Sequence, residues 1–97
     1  MIVVEQLTQT CGACPSQWEG RTRDGARIYV RYRYGTLAIG IGATLDAAID
    51  QAISDAPALR LRISDAGDGF LDYDELRQVT RGTVAWPAAL SPANPSA

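Results

Sequence analysis

The sequence predicts an α+β fold, an antiparallel β-meander sheet of four to five strands covered on one face by two helices. Three observations carry that expectation. Residues 26–33 (ARIYVRYR) alternate with a period of two, as a strand does when only one of its faces is buried. After Gly42 the apolar spacing changes to 3.6, and residues 45–53 carry a single apolar stripe. Further on, Asp72 and Glu75 are spaced as a capping box ahead of a helix that begins near Tyr73.

The elements follow in order. Residues 2–9 (IVVEQLTQ) read as a strand with weak alternation. Residues 16–22 (SQWEGRT) and 26–33 flank Arg23-Asp24-Gly25, and residues 36–41 (TLAIGI) follow Tyr34-Gly35, which makes three strands of a meander. Parity sets their register. A three-residue loop, a type I turn closed by Gly25 in the left-handed region, places Trp18 opposite Val30 and Gly20 opposite Ile28. A two-residue turn would instead set Trp18 against Arg31 and mix the faces. By the same test, Tyr34-Gly35 as a two-residue turn pairs Val30 with Ile39, Ile28 with Ile41 and Tyr32 with Leu37. Trp18, Val30 and Ile39 then share the helix-covered face.

Thr44 caps the first helix, whose Leu45, Ala48, Ile49, Ala52 and Ile53 turn to the sheet while Asp46, Asp50 and Asp55 turn to water; Pro57 stops it. In residues 58–64, Leu59, Leu61 and Ile63 alternate with Arg60, Arg62 and Ser64, so a further strand is expected. Asp72 caps the last helix, Leu71 packs on Leu76, and Gly82 ends it after Arg77 and Arg81, which suit its negative terminus.

Residues 1–87 are expected to form one domain. Residues 88–97 are uncharged and rich in Pro and Ala, and are expected to be a disordered tail, with Trp86 docking back on the core. No apolar run approaches the roughly 20 residues of a bilayer span, and the start lacks the basic region and long apolar stretch of a signal peptide. A cytoplasmic protein without membrane contact is the expectation.

Composition narrows the chemistry. The chain has no His, which removes the commonest general base, the usual zinc nitrogen ligand and the Ser-His or Cys-His nucleophile pairs. All nine cations are Arg, which excludes Schiff-base lysine chemistry and the lysine of a phosphate-binding loop. What remains for catalysis is a carboxylate cluster or an activated Cys. No enzyme activity and no cofactor are therefore expected.

Three features are candidates for a site. Asp65 to Glu75 is similar to an EF-hand calcium loop: with Gly69 at loop position six, Asp68 falls at five, Asp72 at nine and Glu75 at twelve. Positions one and three then fall on Ser64 and Ala66, which lack the carboxylates calcium needs, and the preceding segment reads as a strand instead of a helix. The capping box accounts for Asp72 and Glu75 without metal. Cys11-Gly-Ala-Cys14 could be a redox pair, half a zinc site completed by carboxylates or by a second chain, or two structural thiols. The third candidate is the arginine face. Arg27, Arg31 and Arg33 share one side of their strand with Tyr29, beside the small residues Gly42, Ala38 and Thr36. Arg60 and Arg62 extend the patch if residues 58–64 join the same sheet. Such guanidinium groups suit phosphates or a carboxylate-rich protein surface; the alternative is a solvated face whose stems cover the sheet.

The run Cys11-Gly-Ala-Cys-Pro-Ser-Gln-Trp-Glu-Gly-Arg-Thr, with Asp24-Gly25 and Tyr29 to Gly35, resembles a group of small bacterial and phage proteins of actinobacterial genomes, over about a third of the chain. The resemblance implies a phage-type binder that blocks a host defence protein, such as an anti-CRISPR, and carries over no catalytic residue. The expected function is non-enzymatic binding of a protein partner through Arg27, Tyr29, Arg31, Arg33, Arg60 and Arg62. A nucleic-acid-binding module on the same face is the first alternative, and a metal- or redox-responsive domain using Cys11 and Cys14 the second. The formal charge of -2 favours the protein partner over a long polyanion.

Overall fold

The chain runs β1 (Ile2–Cys11), β2 (Ser16–Thr22), β3 (Arg27–Arg33), β4 (Thr36–Gly42), α1 (Leu45–Ile53), β5 (Leu59–Arg62), α2 (Tyr73–Val79) and β6 (Val84–Ala85). The computed structural model describes residues 1–11, 16–65 and 70–92. The strands form one sheet in the order β5-β4-β3-β2-β1-β6. Neighbours are antiparallel except β6, which lies parallel to β1.

The meander has the register that parity requires. Trp18 pairs with Val30 and Gly20 with Ile28 across β2 and β3. Val30 pairs with Ile39, Ile28 with Ile41 and Tyr32 with Leu37 across β3 and β4. The loop before β3 ends on Gly25 at φ 91°, and the turn before β4 holds Tyr34 at φ 53° and Gly35 at φ 74°. Positive φ at both central residues is the hairpin turn whose twist matches the strands. β1 explains its own weak alternation. Its pairing with β2 shifts between Val4 and Gln6 and again between Gln9 and Cys11, and each bulge inserts a residue that changes which face the following side chains meet.

The main core lies on the face of Trp18, Val30 and Ile39. Leu7, Ile28, Tyr32 and Leu37 join them with at most 1% of each side chain exposed, and Leu71 and Leu76 pack on them from α2 and its approach. Each such aliphatic side chain contributes about 1.5–3 kcal/mol by leaving water. α2 starts at the expected capping box: Asp72 accepts from the Glu75 N–H at 2.8 Å, and Glu75 accepts from the Asp72 N–H at 3.5 Å. Its end is tied down by buried Thr80, whose hydroxyl donates to the Leu76 carbonyl at 2.7 Å and accepts from the Trp86 indole at 2.7 Å. Trp86 thus docks back as expected.

The α+β class and the meander hold, and three details differ from expectation. The sheet has a sixth strand. Val84 and Ala85 sit in an uncharged stretch with no alternation, and pairing beside Ile2 and Val3 alone makes them a strand. The second difference is the tail, whose first residues lie along the sheet: Leu90 packs on the core, and the Ser91 N–H donates to the Leu7 carbonyl at 2.8 Å. Residues 93–97 lie outside the described residues.

The third difference is the placement of α1. α2 covers the Trp18 face, whereas α1 lies across β3 and β4 on the opposite face, where Ala48 and Ala52 bury Tyr29. The seat is made by two glycines of β4. A Cβ on Gly40 would stand 1.9 Å from the Ala48 carbonyl oxygen, and one on Gly42 would stand 2.7 Å from the Ala47 Cβ. The first face is already filled by large side chains, so the narrow alanine stripe of α1 goes where the sheet is thinnest. Thr44 caps α1 as expected, accepting from the Ala47 N–H at 3.1 Å, and the Gln51 side chain ties the helix to the Ile41 N–H at 2.7 Å. No helix among the described residues is long and apolar enough to cross a membrane.

Candidate functional site

Strand pairing decides which arginines meet. Arg31 on β3 faces Ala38 on β4, which faces Arg60 on β5; the next rung is Arg33, Thr36 and Arg62. Paired residues of an antiparallel sheet share a face, so all four guanidinium groups rise from one side. With strands about 4.8 Å apart and alternate residues about 7 Å apart, their Cα atoms mark a rectangle of about 10 by 7 Å. Its floor is small because Ala38 and Thr36 lie between the cations. Ala52 and Ile53 of α1 wall it on one side, which turns a flat shelf into a cleft of about 320 Å³.

Arg60, Arg62 and Arg33 are held differently. Arg60 donates from Nη2 to the Ser54 carbonyl at 2.8 Å. The last turn of α1 has no basic residue, so Arg60 supplies from the neighbouring strand the cation that the helix C-terminus favours. Arg62 is 3.4 Å from the Asp65 carboxylate and donates to the Thr36 hydroxyl at 3.5 Å. That ion pair is exposed, and pairs of this kind contribute about 0–1 kcal/mol. Arg33 stacks 4.8 Å from the centre of the Tyr34 ring and donates to its hydroxyl at 3.3 Å. Among the described residues, Asp65 is the carboxylate that forms an ion pair with this group.

Two residues expected at the site, Tyr29 and Arg27, lie on the same face but outside the cleft. Tyr29 is 5% exposed beneath α1, and burial foremost raises its phenol pKa above 10.0, against the opposing pull of Arg31. Arg27 pairs with Arg21 and Gly42 at the far end of β3, where its Nε donates to the Gly20 carbonyl at 3.2 Å. The sequence signal for this was the alternate pair Gly40 and Gly42 opposite Tyr29 and Arg27, a seat for a helix. Conversely, Tyr34 is 64% exposed and Ile53 58% exposed at the rim of the cleft. Ile53 was expected to face the sheet, but as the last residue of α1 it stands at the rim of the cleft instead.

The other candidates fare as follows. Cys11 is half-buried at the end of β1, paired with Gln17, while Cys14 lies outside the described residues. Asp68 and Ala66 of the calcium-like loop also lie outside them, and Asp72 and Glu75 are joined in the capping box. Among the described residues no three His, Cys, Asp or Glu side chains are grouped as metal ligands would be. A second cleft, between Met1–Val3 and Thr22–Asp24, is lined with mixed apolar and polar groups; Thr22 donates to Asp24 there and holds its carboxyl below the usual 3.8. No protein-family model, curated protein or solved structure matches the chain.

Proposed function

We propose that this is a non-enzymatic binding protein whose contact surface is the cleft of Arg31, Arg33, Arg60 and Arg62, and whose partner is an acidic segment of another protein. The observation that carries the reading is the convergence of four guanidinium groups on one face with an exposed aromatic ring and an exposed Ile at the rim. Arg and aromatic anchors over a small-residue floor are the composition of protein-interface hot spots. The exposed Asp46, Asp50 and Asp55, on α1 and just past its end, would repel a long polyanion that ran past the cleft, which speaks for protein over nucleic acid. The role proposed is that of a phage-type inhibitor that binds a host defence protein through this cleft. The capping box supports the non-enzymatic reading, because it engages the carboxylates Asp72 and Glu75 at a helix start.

The test is capture of a partner from host lysate, with and without nuclease, by the wild-type chain and by Arg31→Glu/Arg33→Glu. The expected result is a nuclease-resistant protein partner that the double variant loses. A captured species lost on nuclease treatment, with affinity falling steeply as salt rises, would establish the nucleic-acid reading in its place. A partner retained unchanged by the double variant would remove the cleft from the function.

A further inference from the structure

The arginine cleft opens onto the free edge of the sheet. Its other edge is closed by β6 and by Ser91, which bonds to Leu7. Beside β5, among the described residues, no strand is paired on the side away from β4. The hydrogen-bond parity of β5 then matters. Ile63 donates to the Gly35 carbonyl at 2.8 Å, and pairing continues through Leu61–Leu37 and Leu59–Ile39, so the odd residues turn their backbone groups to β4. Within β5 the even residues, Arg60 and Arg62, turn theirs outward, while Ala58 and Ser64 at its two ends donate inward, to the Ile39 carbonyl at 2.9 Å and the Gly35 carbonyl at 3.2 Å. The same two residues present a backbone donor and acceptor at the edge and a guanidinium group on the cleft face.

We propose that β5 is a strand-addition site, and that its occupant is an extended protein segment in which acidic residues alternate with apolar ones. This rests on the cleft being the contact surface and names the partner's chemistry. A segment bonded to the outward groups places the residues opposite Arg60 and Arg62 on the arginine face, where carboxylates meet the cleft. The residues between them fall on the other face, beside Leu59, Leu61 and Ile63, which the chain itself covers only in part. Main-chain bonds supply affinity and the alternation supplies specificity.

Charge also decides against a second copy of the chain. Antiparallel pairing of β5 with another β5 through the outward groups sets Arg60 opposite Arg62 in the centred register, and like charges directly opposite are destabilising. Short charged edges commonly prevent self-association; here the charge is all of one sign, so the edge that rejects its own copy accepts an acidic strand.

The test uses the full chain and four synthetic peptides built from the same seven residues. The first alternates Val and Glu over seven residues; the second carries the same residues as a Glu block and a Val block. The third is the alternating peptide N-methylated at its central Glu, with N-methylation at a Val as control. The expected results are binding of the alternating peptide at least tenfold tighter than the block peptide, and exchange protection of the Arg60 and Arg62 amide protons in the complex. Loss of one main-chain bond by Glu N-methylation should weaken binding about fivefold, while Val N-methylation leaves it unchanged. Equal affinity for the block peptide, unprotected amides, equal effects of the two N-methyl groups, or no peptide binding would each overturn strand addition. The cleft would still stand if Arg31→Glu/Arg33→Glu lost the cellular partner; retention of that partner by the double variant would overturn the functional reading instead.

Discussion

Replacing Gly40 by Ala tests the placement of α1, on which the shape of the cleft depends. If the face of Gly40 were open to water, the substitution would help, since Gly in a strand interior costs about 0.5–1 kcal/mol relative to Ala. In the structure the new Cβ stands 1.9 Å from the Ala48 carbonyl oxygen and 2.6 Å from the Ala52 amide nitrogen, where even 3.4 Å is a close contact. Both are backbone atoms of α1, so no rotamer change relieves the clash. The helix must move by more than an ångström, partly exposing Tyr29, Ala48 and Ala52. Overpacking of this kind costs about 1–3 kcal/mol, and a domain of this length loses about 4–8 °C in melting temperature per kcal/mol. Thermal unfolding followed by circular dichroism should therefore show Gly40→Ala melting about 4–24 °C below wild type. An unchanged or raised melting temperature would refute the seating of α1 on β4 and, with it, the wall of the cleft.

Three further outcomes are expected. Asp72→Ala removes the cap of α2 and the carboxylate that receives the Glu75 N–H, and urea unfolding should show a loss of about 1 kcal/mol. Tyr29 and Tyr73 both have phenol pKa values raised by burial, so the unfolded chain loses these protons first: their contribution to stability is complete below pH 10 and is lost as pH rises through the higher folded values. Denaturant melts from pH 9 to 12 should show that decline, and Tyr29→Phe should flatten it; a decline of equal slope in the variant would remove Tyr29 from the account. Trp86→Phe deletes the indole donor to buried Thr80 while keeping an aromatic ring on the core, and should destabilise by about 0.5–1.5 kcal/mol in thermal melts.

Parity in residues 16–41 was sufficient to set the register of three strands, because a hairpin's loop length couples directly to which side chains face each other. The capping box of Asp72 and Glu75 was equally legible, since every atom it uses lies within one helical turn. The side of the sheet that α1 takes was not. A stripe of Leu45, Ala48, Ile49 and Ala52 fits either face, and the choice rests on volumes contributed by Trp18, Tyr32, Leu71 and Leu76 from distant segments, set against the empty seat at Gly40 and Gly42. β6 likewise has no local pattern and exists through its neighbour Ile2. The site divides the same way. Alternation alone put Arg31 beside Arg33 and Arg60 beside Arg62, but the cleft required β5 to align with β4 so that Arg60 met Ala38 and Arg62 met Thr36. The seating of α1 on β3 and β4 buried Tyr29, while Tyr34 and Ile53 stand exposed at the rim. Periodicity is a property of a single segment and survives in the sequence, whereas the pairing of faces depends on volumes summed over segments far apart in the chain.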